Sequence, residues 1–145
     1  MGNPAATKKG GSCLATPDTC HLPAPPPPAG PGGIPTPYPN NADCSSADKA
    51  TTKVLFEKKG VCVENSEIPS STGDEAGCSN LPTPKGLMSQ KNRDKCTFKT
   101  YSSKVKAEGK GIVAAGATTG QNGSGNQNQP AGKHATPSQS KVMVG

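Results

Sequence analysis

The sequence has few large apolar side chains. Leucine, isoleucine, valine and phenylalanine make up 17 of the 145 residues, there is no tryptophan, and only four residues are aromatic. Such a chain cannot form a large conventional core. Three classes of protein remain: a disordered chain, a small fold held together by cysteines or a metal, and a fold completed by a partner's surface.

Targeting and membrane-spanning segments are also missing. No apolar run approaches the roughly 20 residues that span a bilayer, and the N-terminus lacks the apolar region of a secretory signal. We therefore expect the chain to be made in the cytoplasm. Its six cysteines start reduced there, so their even number does not by itself predict three disulfides.

The features of a nucleic-acid-binding protein are sparse, although the net charge is +6. The lysines are scattered along the chain, Arg93 is the single arginine, and four aromatic residues offer few surfaces for stacking on bases. This pattern favours a solvated basic surface, and we expect no nucleic-acid partner.

The hydrophobic pattern that is present has the period of β-strands. Apolar and polar residues alternate in residues 52–63, on both sides of a turn at residues 58–60, and again in residues 96–108. No stretch keeps a period of 3.6 residues. The sequence therefore predicts an all-β fold of short strands with little helix.

The chain is long enough for one domain, which we place at residues 13–145. Residues 1–12 predict a flexible arm, and residues 116–132, rich in Gly, Asn and Gln, predict a long loop. Residues 23–39 contain nine prolines and predict an extended, stiff segment. Residues 137–145 predict a closing strand.

No motif of a known catalytic site occurs. The chain has no phosphate-binding loop, no GxSxG and no HExxH. Cys20 and His21 are adjacent, and in an extended segment their side chains point apart, which argues against a Cys–His hydrolase. Asp74 and Glu75 lie between glycines and predict a solvated turn rather than paired catalytic carboxylates. We expect no enzymatic activity.

Four short blocks occur in a fixed order, preceded by PDTCHLPAP at residues 17–25. The first is Pro37, Tyr38, Pro39 and Asn40; the others are SEIPSSTGDEAG at 66–77, SSKVKAEGK at 102–110 and PSQSKVMV at 137–144. Together they resemble the PAAR-like tip proteins of bacterial contractile injection systems, of which the type VI secretion system is the best known. The resemblance runs from about Cys20 to Val144.

The resemblance implies a small three-sided β-prism that caps and sharpens a spike. The implied partner is a homotrimeric VgrG-like spike protein, with effector cargo as a further partner, and the target membrane is met only by mechanical puncture. The protein is then expected at the tip of the injection apparatus and afterwards outside the cell that made it. Residues 23–39 would wrap the body of the tip.

The resemblance also implies binding positions within the blocks. These are Pro37, Tyr38, Pro39, Asn40, Gly73, Asp74, Glu75, Ser138 and Lys141.

A zinc ion is the cofactor that the resemblance implies, held by histidine and cysteine. Local spacing gives no zinc signal, because no CxxC or HxxxH occurs. The first candidate ligands are Cys20, His21, Cys96 and His134, and the alternatives are Cys13, Cys44, Cys62 and Cys78. Two other interpretations of the cysteines stay open: small buried apolar residues, or disulfides formed after export, with Cys62 paired to Cys78 or Cys44.

A different class of function also fits the composition. The proline-rich residues 23–39 are typical of a ligand for an SH3-type groove. The main alternative is therefore a largely disordered interaction or adaptor protein. A metal-dependent hydrolase using Cys20 or His21 is a third hypothesis.

Overall fold

A computed structural model describes residues 2–22, 34–73, 89, 94–123 and 127–145. Of residues 21, 22, 34 and 35 it describes the backbone alone. The wrapping path predicted for residues 23–39 lies mostly outside the described residues.

The described chain is almost entirely β-structure, which confirms the all-β prediction. One turn of 3-10 helix, Cys44–Ser46, interrupts it, and no described helix is long or apolar enough to cross a bilayer. The strands are β1 (Asn3–Pro4), β2 (Ser12–Leu22), β3 (Ile34–Asp43), β4 (Leu55–Phe56), β5 (Lys59–Gly60), β6 (Glu67–Ile68), β7 (Cys96–Phe98), β8 (Lys106–Ala107), β9 (Lys110–Gly111), β10 (Thr118–Gln121), β11 (Gln129–Thr136) and β12 (Met143–Val144).

Six of these strands form one curled antiparallel sheet in the order β3-β2-β11-β10-β7-β6. Two isolated bridges join its edges: Asn41 pairs with Thr72, and Asp48 pairs with Glu67. These two bridges pair part of each edge within the chain, so the backbone groups of these residues are not open to another strand.

The proline-rich block ends in an edge strand. Strand β3 pairs only with β2 in the sheet, over a long register from Ser12 opposite Asp43 to Leu22 opposite Ile34. Its prolines alternate at Pro35, Pro37 and Pro39. An edge strand tolerates this pattern because the missing N–H groups are not needed by a second neighbour.

The flexible arm predicted for residues 1–12 is wrong for most of that segment. Asn3 and Pro4 form strand β1, and Ala5, Ala6 and Thr7 are completely buried. Small side chains carried no hydrophobic pattern in the sequence, yet they fit a narrow interior that larger residues would overfill.

The long loop predicted for residues 116–132 is wrong for two parts of that range. Thr118–Gln121 forms β10 and Gln129–Thr136 forms β11, and the two strands pair with each other inside the sheet. Glycine and polar side chains have low strand propensity, but here tertiary pairing outweighs local preference. Gly132 illustrates the fit, since a Cβ there would meet the Thr119 hydroxyl at 2.7 Å.

Three two-stranded antiparallel pairs repeat one arrangement, and we call all three of them hairpins. Strand β4 pairs with β5, β8 with β9, and β12 with β1. The first two are closed by tight turns with positive φ at Glu57 and Lys58 and at Glu108 and Gly109, a geometry that matches the twist of paired strands. In the third, the two strands come from opposite ends of the chain.

Each hairpin continues into one segment of a closed three-sided ring. The segments are residues 5–7, 61–63 and 112–114, joined by bridges from Thr7 to Val61, from Val63 to Ile112 and from Ala114 to Ala5. Their central residues form a cycle of backbone hydrogen bonds. Ala6 N donates to Val113 O (2.8 Å), Val113 N to Cys62 O (3.0 Å) and Cys62 N to Ala6 O (2.9 Å).

A second cycle repeats the threefold pattern one step further out. Lys8 N donates to Gly60 O (2.9 Å), Glu64 N to Gly111 O (2.8 Å) and Ala115 N to Pro4 O (2.8 Å). A single chain thus has a pseudo-threefold axis through its ring.

The ring separates two small cores because successive strand residues point to opposite faces. Flanking residues of the ring, including Val61, Val63 and Ile112, pack with Ala107 and Val144 of the hairpins. The central residues Ala6, Cys62 and Val113 pack on the other side. All three hairpins therefore lie at one end of the axis, which we call the hairpin end.

Close backbone approach at the hairpins requires glycine. A Cβ on Gly111 would lie 2.2 Å from the Ser102 carbonyl oxygen, and one on Gly60 would lie 2.5 Å from that of Thr51. We expect Gly111→Ala to lower the free energy of unfolding by about 1–3 kcal/mol because the backbone must shift. Gly145→Ala is the control, since nothing lies within 4 Å of a Cβ there. Equal urea midpoints for the two variants would contradict the prediction.

Candidate metal centre

Two thiols and an imidazole meet in the interior below the ring. Sγ of Cys13 lies 3.6 Å from Nδ1 of His134, and Sγ of Cys44 lies 3.7 Å from the same nitrogen. All three ligand atoms lie within 4.8 Å of one another, and all three residues are buried.

Long-range strand pairing brings these residues together. His134 on β11 is the direct register partner of Cys13 on β2, and residues opposite each other in an antiparallel pair have neighbouring side chains. Cys13 is in turn opposite Ala42 on β3. Cys44 follows β3 at the start of the 3-10 turn, where Cys44 N donates to Gly11 O (3.0 Å).

Two further buried thiols border this group. Hydrogen bonds from Cys13 and Cys62 to Cys44 raise the pKa values of the Cys13 and Cys62 thiols and hold the pKa of Cys44 far below its ordinary value. Cys13 also interacts with Cys96, which adds to the increase in its pKa. Cys44 therefore interacts with Cys13, Cys62 and His134, and the side chains of Cys13, Cys44, Cys62, Cys96 and His134 form what we call the thiol cluster.

The donor set fits a tetrahedral metal ion. With Zn–S near 2.3 Å and Zn–N near 2.0–2.1 Å, the sulfur and nitrogen ligands of a tetrahedral zinc lie about 3.6 Å apart. The two sulfur-to-nitrogen distances here are 3.6 and 3.7 Å. Thiolate and imidazole are the ligands that zinc prefers in structural sites. Cys13, Cys44 and His134 can supply three ligands, and Cys62 or Cys96 the fourth.

A second buried polar group lies further along β2, around the carboxylate of Asp18. Asn40 Nδ2 donates to Asp18 Oδ2 (2.6 Å), Asn122 Nδ2 donates to the same oxygen (3.2 Å), and Asn128 Nδ2 donates to Oδ1. Asp18 is completely buried. These bonds tie β2, β3 and the ends of β10 and β11 together, so the group acts as a structural hub.

The first set of predicted ligands is divided by the fold. Cys96 and His134 belong to the thiol cluster, whereas Cys20 lies beside Asn122 at the Asp18 group (Sγ to Nδ2, 3.8 Å). Cys20 follows Cys13 by seven strand residues, roughly 20 Å, so the two cannot bind one ion. The alternatives Cys13, Cys44 and Cys62 lie in the cluster. The side chain of His21 and all of Cys78 lie outside the described residues.

The predicted binding blocks have mixed surroundings. Pro37 and Pro39 are exposed, whereas Asn40 is buried against Asp18. A Cβ on Gly73 would meet the Pro39 carbonyl oxygen at 2.2 Å, so these two blocks pack together. Asp74 and Glu75 lie outside the described residues.

The last block, residues 137–144, packs against the N-terminal segment. The Ser138 hydroxyl accepts from Thr7 N (2.9 Å), and Lys141 Nζ lies 3.3 Å from Glu57 Oε1. Tyr38 is half-buried. Within the described part of these blocks, Asn40, Gly73 and Ser138 make contacts that stabilise the fold, while Pro37, Pro39 and Lys141 remain accessible.

Carboxylates connect the hairpins to one another. Glu108 Oε1, in the β8–β9 turn, accepts from the backbone N–H groups of Lys53 (2.6 Å), Thr52 and Val54, and these bonds lower the pKa of Glu108. Because the folded-state pKa lies below the unfolded value, this stabilisation is present above pH about 4.5 and is lost as the pH falls through the folded-state value.

We therefore expect Glu108→Gln to lower Tm at neutral pH, and the difference from wild type to shrink as the pH falls below about 4.5 and the wild-type carboxyl becomes protonated. Thermal melts of both proteins across this pH range measure the difference. Glu64→Gln is the control for loss of a hairpin-region carboxylate. A difference in Tm between wild type and Glu108→Gln that does not change with pH would contradict the prediction.

No spacing motif in the sequence identifies the thiol cluster. Its ligands are separated by 31 residues between Cys13 and Cys44 and by 90 between Cys44 and His134. The register of β2 against β11, in a segment whose composition favours a loop, is what joins them. The sequence does carry a signal for the hairpins: a Lys-Val dipeptide repeats at residues 53–54, 104–105 and 141–142, once for each hairpin.

Comparison with known proteins finds similarity over most of the chain. The family described as the toxin PAAR-like domain matches residues 11–131. A protein named DNase toxin Tse7, from Pseudomonas aeruginosa, is 36% identical over 105 residues, which cover 72% of this chain and 26% of the relative. The chain thus spans about a quarter of that relative's length, and no solved structure gives a significant match. The match over most of its length shows that the chain belongs to the toxin PAAR-like domain family.

Proposed function

We propose that this chain is a non-enzymatic tip protein that closes the end of a trimeric, VgrG-like spike in a type VI secretion system or a related contractile injection machine. The observation that carries the proposal is the pseudo-threefold ring, with its two cycles of backbone hydrogen bonds. A homotrimer has three identical faces at its end. One chain can contact all three equally only if it repeats its own surface three times around the same axis.

The hairpin end is the surface that we assign to the spike. It combines short, accessible strands with exposed apolar side chains, notably Leu55 and Met143, each 51% exposed. Leu55 begins β4 and Met143 begins β12, so they occupy equivalent positions on two hairpins. Apolar side chains and strand edges together suit a partner whose own strands end in a threefold arrangement.

The thiol cluster would then hold the interior of the tip rigid. A zinc ion bound by Cys13, Cys44, His134 and a fourth cysteine would supply structural cross-linking between β2, β11 and the segment after β3. A chain with so little apolar surface to bury gains much of its stability from such a site. Delivery of cargo and puncture of a target envelope, followed by release from the producing cell, are part of this proposal.

A nuclease function, as in the name of the similar toxin, has no specific support in the described residues. There, the one group of three metal-ligating side chains is Cys13, Cys44 and His134, which suits zinc in a structural role. The proline-rich adaptor hypothesis is disfavoured by the extensive sheet, in which part of the proline-rich block itself is paired as β3.

The proposal is tested by co-purification with the spike trimer of the same bacterium, followed by native mass spectrometry. We expect one copy of this chain per trimer. The double variant Leu55→Asp, Met143→Asp should lose the complex while keeping its β-sheet circular dichroism. Ala131→Asp, Ala135→Asp, on the exposed side of β11, is the matched control. No complex with the wild-type chain, or a stoichiometry of three copies per trimer, would overturn the proposal.

A further inference from the structure

The hairpin end carries nearly all of the protein's excess positive charge. Residues 3–4, 53–60, 104–111 and 141–144 contain seven lysines and two glutamates. Their balance of +5 compares with a net charge of +6 for the whole chain. The remainder of the chain is therefore close to neutral, and the charge is concentrated at one end of the pseudo-threefold axis.

Three of these lysines occupy equivalent positions around the axis. Lys53, Lys104 and Lys141 each stand two residues before the first strand of a hairpin, namely β4, β8 and β12. All three are exposed. We call them the lysine triangle.

The fold uses these three residues chiefly through their backbone, and Lys141 adds one exposed ion pair to Glu57. Lys53 N donates to Glu108 Oε1 (2.6 Å), Lys104 N to Ser102 Oγ (3.3 Å) and Lys141 N to Gln139 Oε1 (2.8 Å). Other residue types offer the same N–H group. Two positions further along, the three hairpins carry Leu55, Lys106 and Met143, so the repeat itself does not impose identical side chains.

Intramolecular ion pairs do not neutralise the triangle. Lys141 Nζ approaches Glu57 Oε1 at 3.3 Å with its side chain 77% exposed, and Glu57 also pairs with Lys9 (2.9 Å). Glu108 accepts hydrogen bonds from three backbone N–H groups, and the nearby charge of Lys53 makes a smaller contribution to lowering its pKa. The ammonium groups therefore remain available to a partner.

We propose that the lysine triangle recognises an acidic spike end, in which each of the three subunits presents a carboxylate to one lysine. This inference rests on the proposed function and specifies the chemistry of the partner surface. Threefold charge pairing would fix the rotation of the tip on the spike and increase the rate of association, while the apolar side chains of the hairpin end supply contact area.

The test measures Kd between the full-length protein and the VgrG-like spike trimer of the same bacterium, at about 50 mM and about 300 mM salt. Each single Lys→Gln substitution in the triangle should raise Kd about 2- to 5-fold, and the triple variant about 10- to 100-fold at the lower salt concentration. The wild-type Kd should rise with salt more steeply than that of the triple variant.

A triple variant with the same loss of charge is the control. Lys49, Lys99 and Lys133 are exposed and lie outside the hairpins, and replacing them with glutamine should change Kd less than 2-fold. Thermal melts check that both triple variants remain folded.

The outcomes separate this inference from the proposed function. Absence of binding by the wild type overturns the proposed function. Wild-type binding with no salt dependence, or equal weakening in both triple variants, overturns the lysine triangle and leaves the tip assignment standing. Dependence on one lysine alone also overturns the triangle, because threefold recognition requires comparable effects at all three.

Discussion

Replacing Cys44 with serine is expected to remove bound zinc and most of the protein's stability. Cys44 accepts hydrogen bonds from the Cys13 and Cys62 thiols and lies 3.7 Å from His134 Nδ1, so it is the central ligand of the proposed site. Structural zinc contributes on the order of 10 kcal/mol to folding in small domains. We expect zinc content to fall from one ion per chain to nearly none, and the cooperative thermal transition to disappear.

Removal of zinc with a chelator and a control variant test the same prediction independently. A strong chelator should reproduce the loss of the transition in the wild type, and added zinc should restore it. Cys20→Ser is the matched control, because Cys20 is also buried but lies at the Asp18 group. It should keep one zinc ion. Loss of zinc in Cys20→Ser, with retention in Cys44→Ser, would instead support the ligand set predicted from sequence.

Removing the Asp18 carboxylate is expected to cause the second largest loss of stability. Asp18→Ala leaves the amide N–H groups of Asn40 and Asn122 without that acceptor and deprives Asn128 of one of its acceptors. Each buried donor that loses its partner costs about 1–3 kcal/mol. We expect the free energy of unfolding to fall by roughly 3–5 kcal/mol, measured by urea denaturation with zinc present.

Asp48→Ala is the control for this second prediction. Asp48 is exposed, and its contacts with Glu67 use the backbone, so the substitution should change the free energy of unfolding by less than about 0.5 kcal/mol. Zinc content should be unchanged in both variants, since the Asp18 group lies away from the thiol cluster. A fall of under 1 kcal/mol in Asp18→Ala would mean that the amide groups find other partners.

The family and the fold class could be predicted from the sequence because they depend on local pattern. Alternating residues around 52–63 predicted a hairpin with its turn at 58–60, and β4 and β5 form one there with the turn at Glu57 and Lys58. The ordered blocks predicted the PAAR-like family, which the match over residues 11–131 confirms. Both signals are properties of neighbouring residues and do not require knowledge of distant contacts.

Small residues limited the prediction elsewhere. Ala5 and Ala6 carry too little apolar surface to mark a strand, and Thr119 and Gly120 lie in a segment whose composition is typical of a loop. In the fold, all four are buried. A narrow interior around a threefold axis selects small side chains, so the usual association of bulk with burial does not apply there.

The sequence by itself determined that this chain is an all-β member of its family, with an excess of lysine and with six cysteines and two histidines as candidate metal ligands. Only the tertiary structure decided which of these groups meet. His134 reaches Cys13 through cross-strand register, Cys20 is held apart from both, and the two ends of the chain complete the third hairpin. Pairing over more than 100 residues depends on the closure of the whole sheet, and no local preference encodes it.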